Sequence, residues 1–200
     1  MRKIFTCTFP IIGKLKDDSY FYKNQKFNMS QHVFARDKDF EIVEIRGDFI
    51  EFKLDSDTES LSIYPFLFEL LISYNLERTS LLVSYKVVNK SKDNMLFSIG
   101  AHPAFNWPLK DGEIKEEYFL EFENINTTIR YFLNEKGLVF DNCDLILDKN
   151  KLFLNEELLK DDALVFNDLN IKKVSFKNVK NYNFVKLDFE NFPYLGFGQS

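Results

Sequence analysis

The 200 residues carry 26 Lys plus Arg against 31 Asp plus Glu, for a formal net charge of -5, and 45% of them are hydrophobic, with 23 phenylalanines. Such a chain has the apolar mass for a sizeable core, so it is not a disordered segment, and its scattered basic residues give no footprint for nucleic acid or an anionic membrane. Cys7 and Cys143 lie in no CxxC pair and no Cys/His cluster of zinc spacing, which points to two buried or half-buried free thiols rather than a disulfide framework or a metal site.

The opening MRKIFTCTFPIIGK has a short apolar run, broken by Pro10 and then by Lys14, Lys16, Asp17 and Asp18. It is too short to span a membrane and has no convincing cleavage site, so the cytoplasm is the expected compartment. YFYKNQKFNM, Tyr20 to Met29, predicts a hairpin around Asn24-Gln25. FEIVEIR predicts a strand. In FIEFKL, Ile50, Phe52 and Leu54 alternate with Glu51 and Lys53, the period of a half-buried strand. FLFELLISYNL adds another. In SLLVSYKVV, Leu81, Val83, Tyr85 and Val87 fall on one face and Ser84 and Lys86 on the other. YFLEFE, TTIRYF and KKVSFK are further strands. In NFVKLDF, Asn183, Val185, Leu187 and Phe189 oppose Phe184, Lys186 and Asp188. The helical signal is limited to NEELLKDDA, Asn155 to Ala163, where an N-cap Asn precedes two Glu and one or two turns are expected. Strands of this length at short spacing predict an all-β, antiparallel sandwich or barrel. With no repeat, low-complexity tract or composition shift, residues 1–200 read as a single domain.

Chemistry concentrates in FSIGAHPAFNWP, Phe97 to Pro108, which places one of only two histidines directly before a proline. A histidine such as His102 is a side chain that can give or take a proton in a reaction. Pro103 pushes it toward extended geometry, which limits the freedom of the imidazole. Phe105 and Trp107 add flat apolar surfaces of the kind that suits the C–H face of a pyranose. Taken alone, the segment reads as a structural histidine in a turn before it reads as a catalytic acid. His32 lies in MSQHVFARD with Arg36 and Asp37 just after it, and alone it reads as a polar loop capping the hairpin. The chain has no Gly-rich phosphate loop, no GxSxG and no HExxH.

FPIIGKLKDDSYFYKNQKFNMSQHVFARDKDF, FSIGAHPAFNWP, KLFLNEELLKDDALVF and FPYLGF, in this order, resemble the aldose 1-epimerases, the galactose mutarotase-like proteins, and most closely their bacterial LacX-like branch. The resemblance implies an antiparallel β-sandwich of the galactose mutarotase-like (supersandwich) type. It implies an isomerase of carbohydrate metabolism that interconverts the α and β anomers of a free hexose without metal or organic cofactor. In that family a carboxylate takes the proton of the C1 hydroxyl while a histidine protonates the ring oxygen. The ring opens, the C1–C2 bond rotates, and the ring recloses on the other face. By position, His102 corresponds to the general acid and His32 to the second pocket histidine, the two facing one cleft. Asp162 corresponds to the acid that binds sugar hydroxyls, Lys14 to a basic residue lining the pocket, and Arg36 to its rim.

The departures from the family pattern set further expectations. The family's general-base glutamate lies beyond PYLG, and no residue here matches it; Glu190 precedes that segment. The opening is short as well, so the sandwich is expected to be incomplete at both termini. Its uncovered strand edges are expected to promote self-association. Val33 stands where the family has glycine, so the loop carrying His32 is expected to sit differently. A catalytically silent carbohydrate-binding or interaction protein is the rival reading. A hexose 6-phosphate substrate ranks last, because Arg36 is the only arginine near a motif and a phosphate calls for a cationic cluster.

Overall fold

The computed structural model describes residues 5–31, 34–160, 163–167, 171–181 and 183–198. The chain divides into two compact units, Met1–Pro103 and Ala104–Ser200. Among the described residues every strand pair is antiparallel, and the one α-helix has six residues. The predicted antiparallel all-β class is the fold observed.

In the first unit the strands are β1 (Phe5–Thr8), β2 (Ser19–Tyr22), β3 (Gln25–Asn28), β4 (Glu41–Arg46) and β5 (Phe49–Asp55). After helix α1 (Thr58–Ile63) come β6 (Phe68–Glu77), β7 (Ser80–Asn89) and β8 (Gly100–Pro103). They form a four-stranded sheet β4-β5-β6-β7 and two pairs, β1-β8 and β2-β3. The predicted alternation sets the inner face. Leu54, Phe52 and Ile50 stand opposite Leu70, Ile72 and Tyr74, which in turn stand opposite Val87, Tyr85 and Val83. Leu70 is fully buried, and around it Phe9, Met29, Phe34, Tyr64, Phe66, Phe68 and Ile72 complete one core. Each such side chain contributes roughly 1.5–3 kcal/mol on burial.

The β2–β3 hairpin turns one residue earlier than predicted. Its central residues are Lys23 and Asn24, both at positive φ (48° and 64°), and Tyr22 pairs with Gln25. Both central positions of this two-residue turn are left-handed, which Asn tolerates well. Helix α1 has no counterpart in the sequence reading. A capping box holds it: the Asp57 carboxylate accepts from Ser60 N at 2.7 Å and Ser60 Oγ accepts from Asp57 N at 2.8 Å.

The second unit contains β9 (Tyr118–Phe122), β10 (Thr127–Leu133), β11 (Val139–Ile146), β12 (Lys151–Phe153), β13 (Leu164–Asn167), β14 (Lys173–Asn178), β15 (Phe184–Asp188) and β16 (Tyr194–Phe197). Two four-stranded sheets, β11-β10-β13-β16 and β12-β9-β14-β15, share one core. Phe122 and Phe166 meet edge to face across it at 5.6 Å, and Phe176 meets Phe197 at 6.1 Å. Val185, Leu187 and Phe189 pack on this core, as the alternation of NFVKLDF requires. The expected helix after Asn155 is a turn. Asn155 Oδ1 accepts from Leu158 N at 2.7 Å, but the next bonds, from Leu159 N to Glu156 O and from Lys160 N to Glu157 O, span only three residues. The cap residue is present without a longer apolar stripe to propagate a helix.

Candidate functional site

Three of the motifs meet in the first unit at Phe9-Pro10. The Phe9 carbonyl accepts from Phe34 N at 3.2 Å and from Ala35 N at 3.4 Å, both in VFARD. The Pro10 carbonyl accepts from Ser98 N at 2.8 Å, and Ser98 Oγ accepts from Ile12 N at 2.9 Å. The fully buried Phe9 ring lies 6.5 Å from Phe34, 6.2 Å from Tyr64, 5.0 Å from Phe68 and 5.6 Å from Phe97. FPIIG, VFARD and FSIGAHP, widely separated along the chain, are thus fastened to one another through backbone and rings. Backbone groups buried here need partners, and the neighbouring motif supplies them.

His102 sits in β8, opposite Thr6 of β1, and is exposed. Its strand lies close against β1 because of Gly100. A Cβ on that residue would stand 2.7 Å from Thr8 Oγ1 and 3.1 Å from Ile12 Cδ1. Thr8 Oγ1 also donates to Gly100 O at 3.4 Å. Lys14 follows Gly13, which turns the chain at φ +74°, and its Nζ lies 3.5 Å from Asp18 Oδ1. Arg36 lies in a single 3-10 turn, Ala35–Asp37, anchored by the fully buried Ala35; its Nε is 3.4 Å from Asp37 Oδ2. The motif contacts therefore place the backbones that carry Arg36 and His102 in one assembly with the chain leading to Lys14. His32 and Val33, with the loop expectation attached to them, lie outside the described residues, as does Asp162.

In the second unit, Phe105 is 43% exposed, whereas Trp107 is half-buried and packs on the core. Trp107 Nε1 donates to Lys115 O at 3.0 Å, and Lys115 Nζ lies 5.2 Å from the centre of the indole. The DALVF and PYLGF segments are neighbours. Leu164 pairs with Phe197 and Phe166 with Leu195, and a Cβ on Gly198 would lie 3.2 Å from Ala163 Cβ.

Several titratable groups near these motifs are shifted by burial. The Cys7 thiol is pushed up to about 12, and the Tyr64 phenol is pushed well above its usual range. Tyr64 Oη donates to Leu96 O at 2.8 Å, ahead of the FSIGAHP segment. These groups stay protonated and neutral near pH 7, and they support the site rather than transfer protons. A depression of about 260 Å³ lies between Ile45, Phe49, Ile50, Tyr74, Leu76 and Leu81. Gly47 and Asp48 complete a lining that is largely apolar and contains none of the candidate site residues. A hexose needs partners for its hydroxyls, so this depression is not assigned to sugar. Among the described residues no three His, Cys, Asp or Glu side chains are placed to share a cation.

Neither the Thr8–Gly100 approach nor the role of Phe9 is legible in the sequence. The glycine before AHP was visible, but its need for closeness to Thr8 depends on strand register. The model of the aldose 1-epimerase family matches residues 9–199. The chain is 32% identical over 196 residues to the plasmid-encoded LacX protein of Lactococcus lactis, which covers 94% of this chain and 66% of that protein. Among solved structures, a galactose mutarotase related enzyme from Lactobacillus acidophilus superposes with a TM-score of 0.86 at 34% identity, covering 96% of this chain and 64% of that one. A galactose mutarotase-like protein from Lactobacillus casei gives 0.84 at 30% identity, covering 96% and 66%. The chain therefore spans just under two thirds of the length of these relatives.

Proposed function

Since the chain belongs to the aldose 1-epimerase family, we propose that it binds a free hexose and serves the interconversion of its α and β anomers by acid–base ring opening. The observation that carries this reading is the fastening of FPIIG, VFARD and FSIGAHP to one another around Phe9-Pro10. His102 is the general acid. It gives its proton to the ring oxygen as the C1–O bond breaks, a base takes the proton of the C1 hydroxyl, and an open-chain aldehyde results. Rotation about C1–C2 and the reverse transfers close the ring on the other face. A poor alkoxide leaving group needs that proton as its bond breaks, and an acid with a pKa near neutrality delivers it best. His32 is the second histidine beside the ring oxygen and C1. Asp162 takes sugar hydroxyls, Arg36 and Lys14 line the rim, and Phe105 and Trp107 offer apolar surface. We assign the protein to the cytoplasm. Among the described residues no helix is long and apolar enough to cross a membrane.

We propose further that none of the 200 residues takes the place of the family's general-base glutamate, so that the 200-residue polypeptide by itself turns over poorly. The rival reading is that the chain binds carbohydrate without catalysis. Saturation-transfer NMR with galactose and glucose, on the native chain and on His102→Ala, tests both. Sugar contact with slow anomer exchange supports binding without efficient turnover, and contact with rapid His102-dependent exchange supports a complete catalyst. No sugar contact would remove both readings.

A further inference from the structure

The segment from Ala104 to Glu117, which carries Phe105 and Trp107, contains one 3-10 turn and no strand, yet it is tied down from Trp107 onward. Many of the ties run through one side chain. Glu113 is half-buried. Its Oε1 accepts from Asn181 Nδ2 at 2.6 Å. Its Oε2 accepts from Lys110 N at 3.3 Å and from the hydroxyl of Tyr118. That hydroxyl also accepts from Leu109 N at 2.9 Å. The Tyr118 ring is fully buried and stands 4.8 Å from Phe176, so it cannot follow a moving loop. Gly112, at φ +85°, bends the chain so that Glu113 faces back to Lys110, and Glu113 N donates to Lys110 O at 3.3 Å. Past Glu113, Lys115 O accepts the Trp107 indole N–H, and Lys115 Nζ pairs with Glu156 at 3.1 Å.

We propose that Glu113 is a positioning residue whose carboxylate clamps the 104–117 loop to Tyr118 and Asn181, and thereby holds Phe105 and Trp107 in place as the apolar surface that meets the sugar. The last clause rests on the reading given under Proposed function; the clamp itself does not. A carboxylate suits the task because three donors converge on it: a backbone N–H, a phenol and an amide. Charge-assisted hydrogen bonds to such an acceptor are about twice as strong as neutral ones. Glutamine at this position keeps an acceptor for Asn181 but turns an N–H₂ toward Lys110 N and Tyr118 Oη, where two donors already point.

Trp107 is the only tryptophan, so intrinsic fluorescence reports on this loop without a label. In sugar-free protein, Glu113→Ala is expected to shift Trp107 emission to the red and to raise its acrylamide quenching, with Glu113→Gln intermediate and the far-UV spectrum unchanged. Tyr118→Phe, which keeps its ring in the core, is expected to change Trp107 in the same direction. The half-saturating concentration of galactose is expected to rise about five-fold or more in Glu113→Ala, the factor that loss of one ordinary hydrogen bond supports. Wild-type quenching in Glu113→Ala would overturn the clamp. If that variant does not fold, wild-type quenching in Tyr118→Phe would do the same. Loosened Trp107 with unchanged galactose half-saturation would overturn the link to sugar. A wild-type chain that shows no response to galactose would refute the sugar reading, while the sugar-free quenching still decides the clamp.

Discussion

Replacing Gly100 with alanine tests the packing that places His102. The backbone at Gly100 is not at positive φ, so the cost is steric rather than conformational. The new Cβ would lie 2.7 Å from Thr8 Oγ1, well inside contact distance, and 3.1 Å and 3.2 Å from Ile12 Cδ1 and Cγ1. Thr8 is buried, so its hydroxyl has little room to retreat. Overpacking of this kind costs about 1–3 kcal/mol, and the entropic benefit of losing a glycine offsets about 0.4–1 kcal/mol. At the middle of both ranges a net loss of about 1.3 kcal/mol follows. Thr8→Ala removes the nearest atom, so in that background the cost of Gly100→Ala should fall by about 1 kcal/mol, a coupling typical of residues in contact. Urea unfolding followed by far-UV circular dichroism, with all four proteins compared at constant m, measures each term. A Gly100→Ala chain as stable as the parent, or a loss undiminished beside Thr8→Ala, would refute the claim that this close approach sets the β1–β8 pairing.

With its thiol pushed up to about 12 and buried, Cys7 should resist a disulfide reagent at about pH 8, while Cys143, which lies exposed on β11 rather than buried or half-buried as expected from the sequence, reacts at once; two fast thiols in native protein would contradict the burial of Cys7. Asp57→Ala should cost about 1 kcal/mol through loss of the α1 cap. The Asp57 carboxyl is lowered to about 2, first by the Ser60 N–H and then by Lys38. Its contribution is therefore complete above the unfolded value near pH 4 and disappears as pH falls through about 2, so the stability gap between Asp57→Ala and the parent should close over that range. Phe122→Ala, which empties the face against Phe166, should cost about 3–5 kcal/mol in chemical denaturation, and a loss below about 1 kcal/mol would mean that the two sheets of the second unit do not share that contact. All six positions of β4 are exposed, and it is an edge strand among the described residues; sedimentation velocity should show association rising with concentration, and a monomer throughout would remove that expectation.

Period-2 alternation made most of this fold legible. In FIEFKL, SLLVSYKVV and NFVKLDF the alternation named Leu54, Val83, Tyr85, Val87, Val185, Leu187 and Phe189, which pack at the cores, because a one-residue slip would have put Lys86 or Lys186 there, although Leu81 and Asn183 of the same faces are exposed. Strands without a buried face left less trace. β11 is exposed at seven of its eight positions, so VFDNCDLI carries no clean alternation. Helix α1 is too short for a 3.6-residue pattern, and its capping box uses Asp and Ser rather than the commoner Ser and Glu. For the candidate site, the motifs GAHP, VFARD and FPIIG named stretches of chain that the structure brings together. That they meet at the Phe9 and Pro10 carbonyls was not legible, since no local pattern records which backbone group will answer which. Glu113 was hidden for the same reason: a glutamate in a polar loop looks solvated until Tyr118 and Asn181 are seen around it.

Central to the proposed function are His102 as the acid and the proposal that none of the 200 residues serves as the base. Polarimetry on freshly dissolved α-glucose or α-galactose, with the buffer rate subtracted, measures this directly. A missing acid or base group typically costs about 10²–10⁴-fold. The 200-residue polypeptide should therefore show little or no turnover, and any residual rate should vanish in His102→Ala. Added formate, a small carboxylate able to take the C1 proton, should raise the rate of the parent chain above formate's own catalysis and leave His102→Ala unmoved. Turnover equal to that of an ordinary mutarotase without formate, or a rate indifferent to His102, would contradict it.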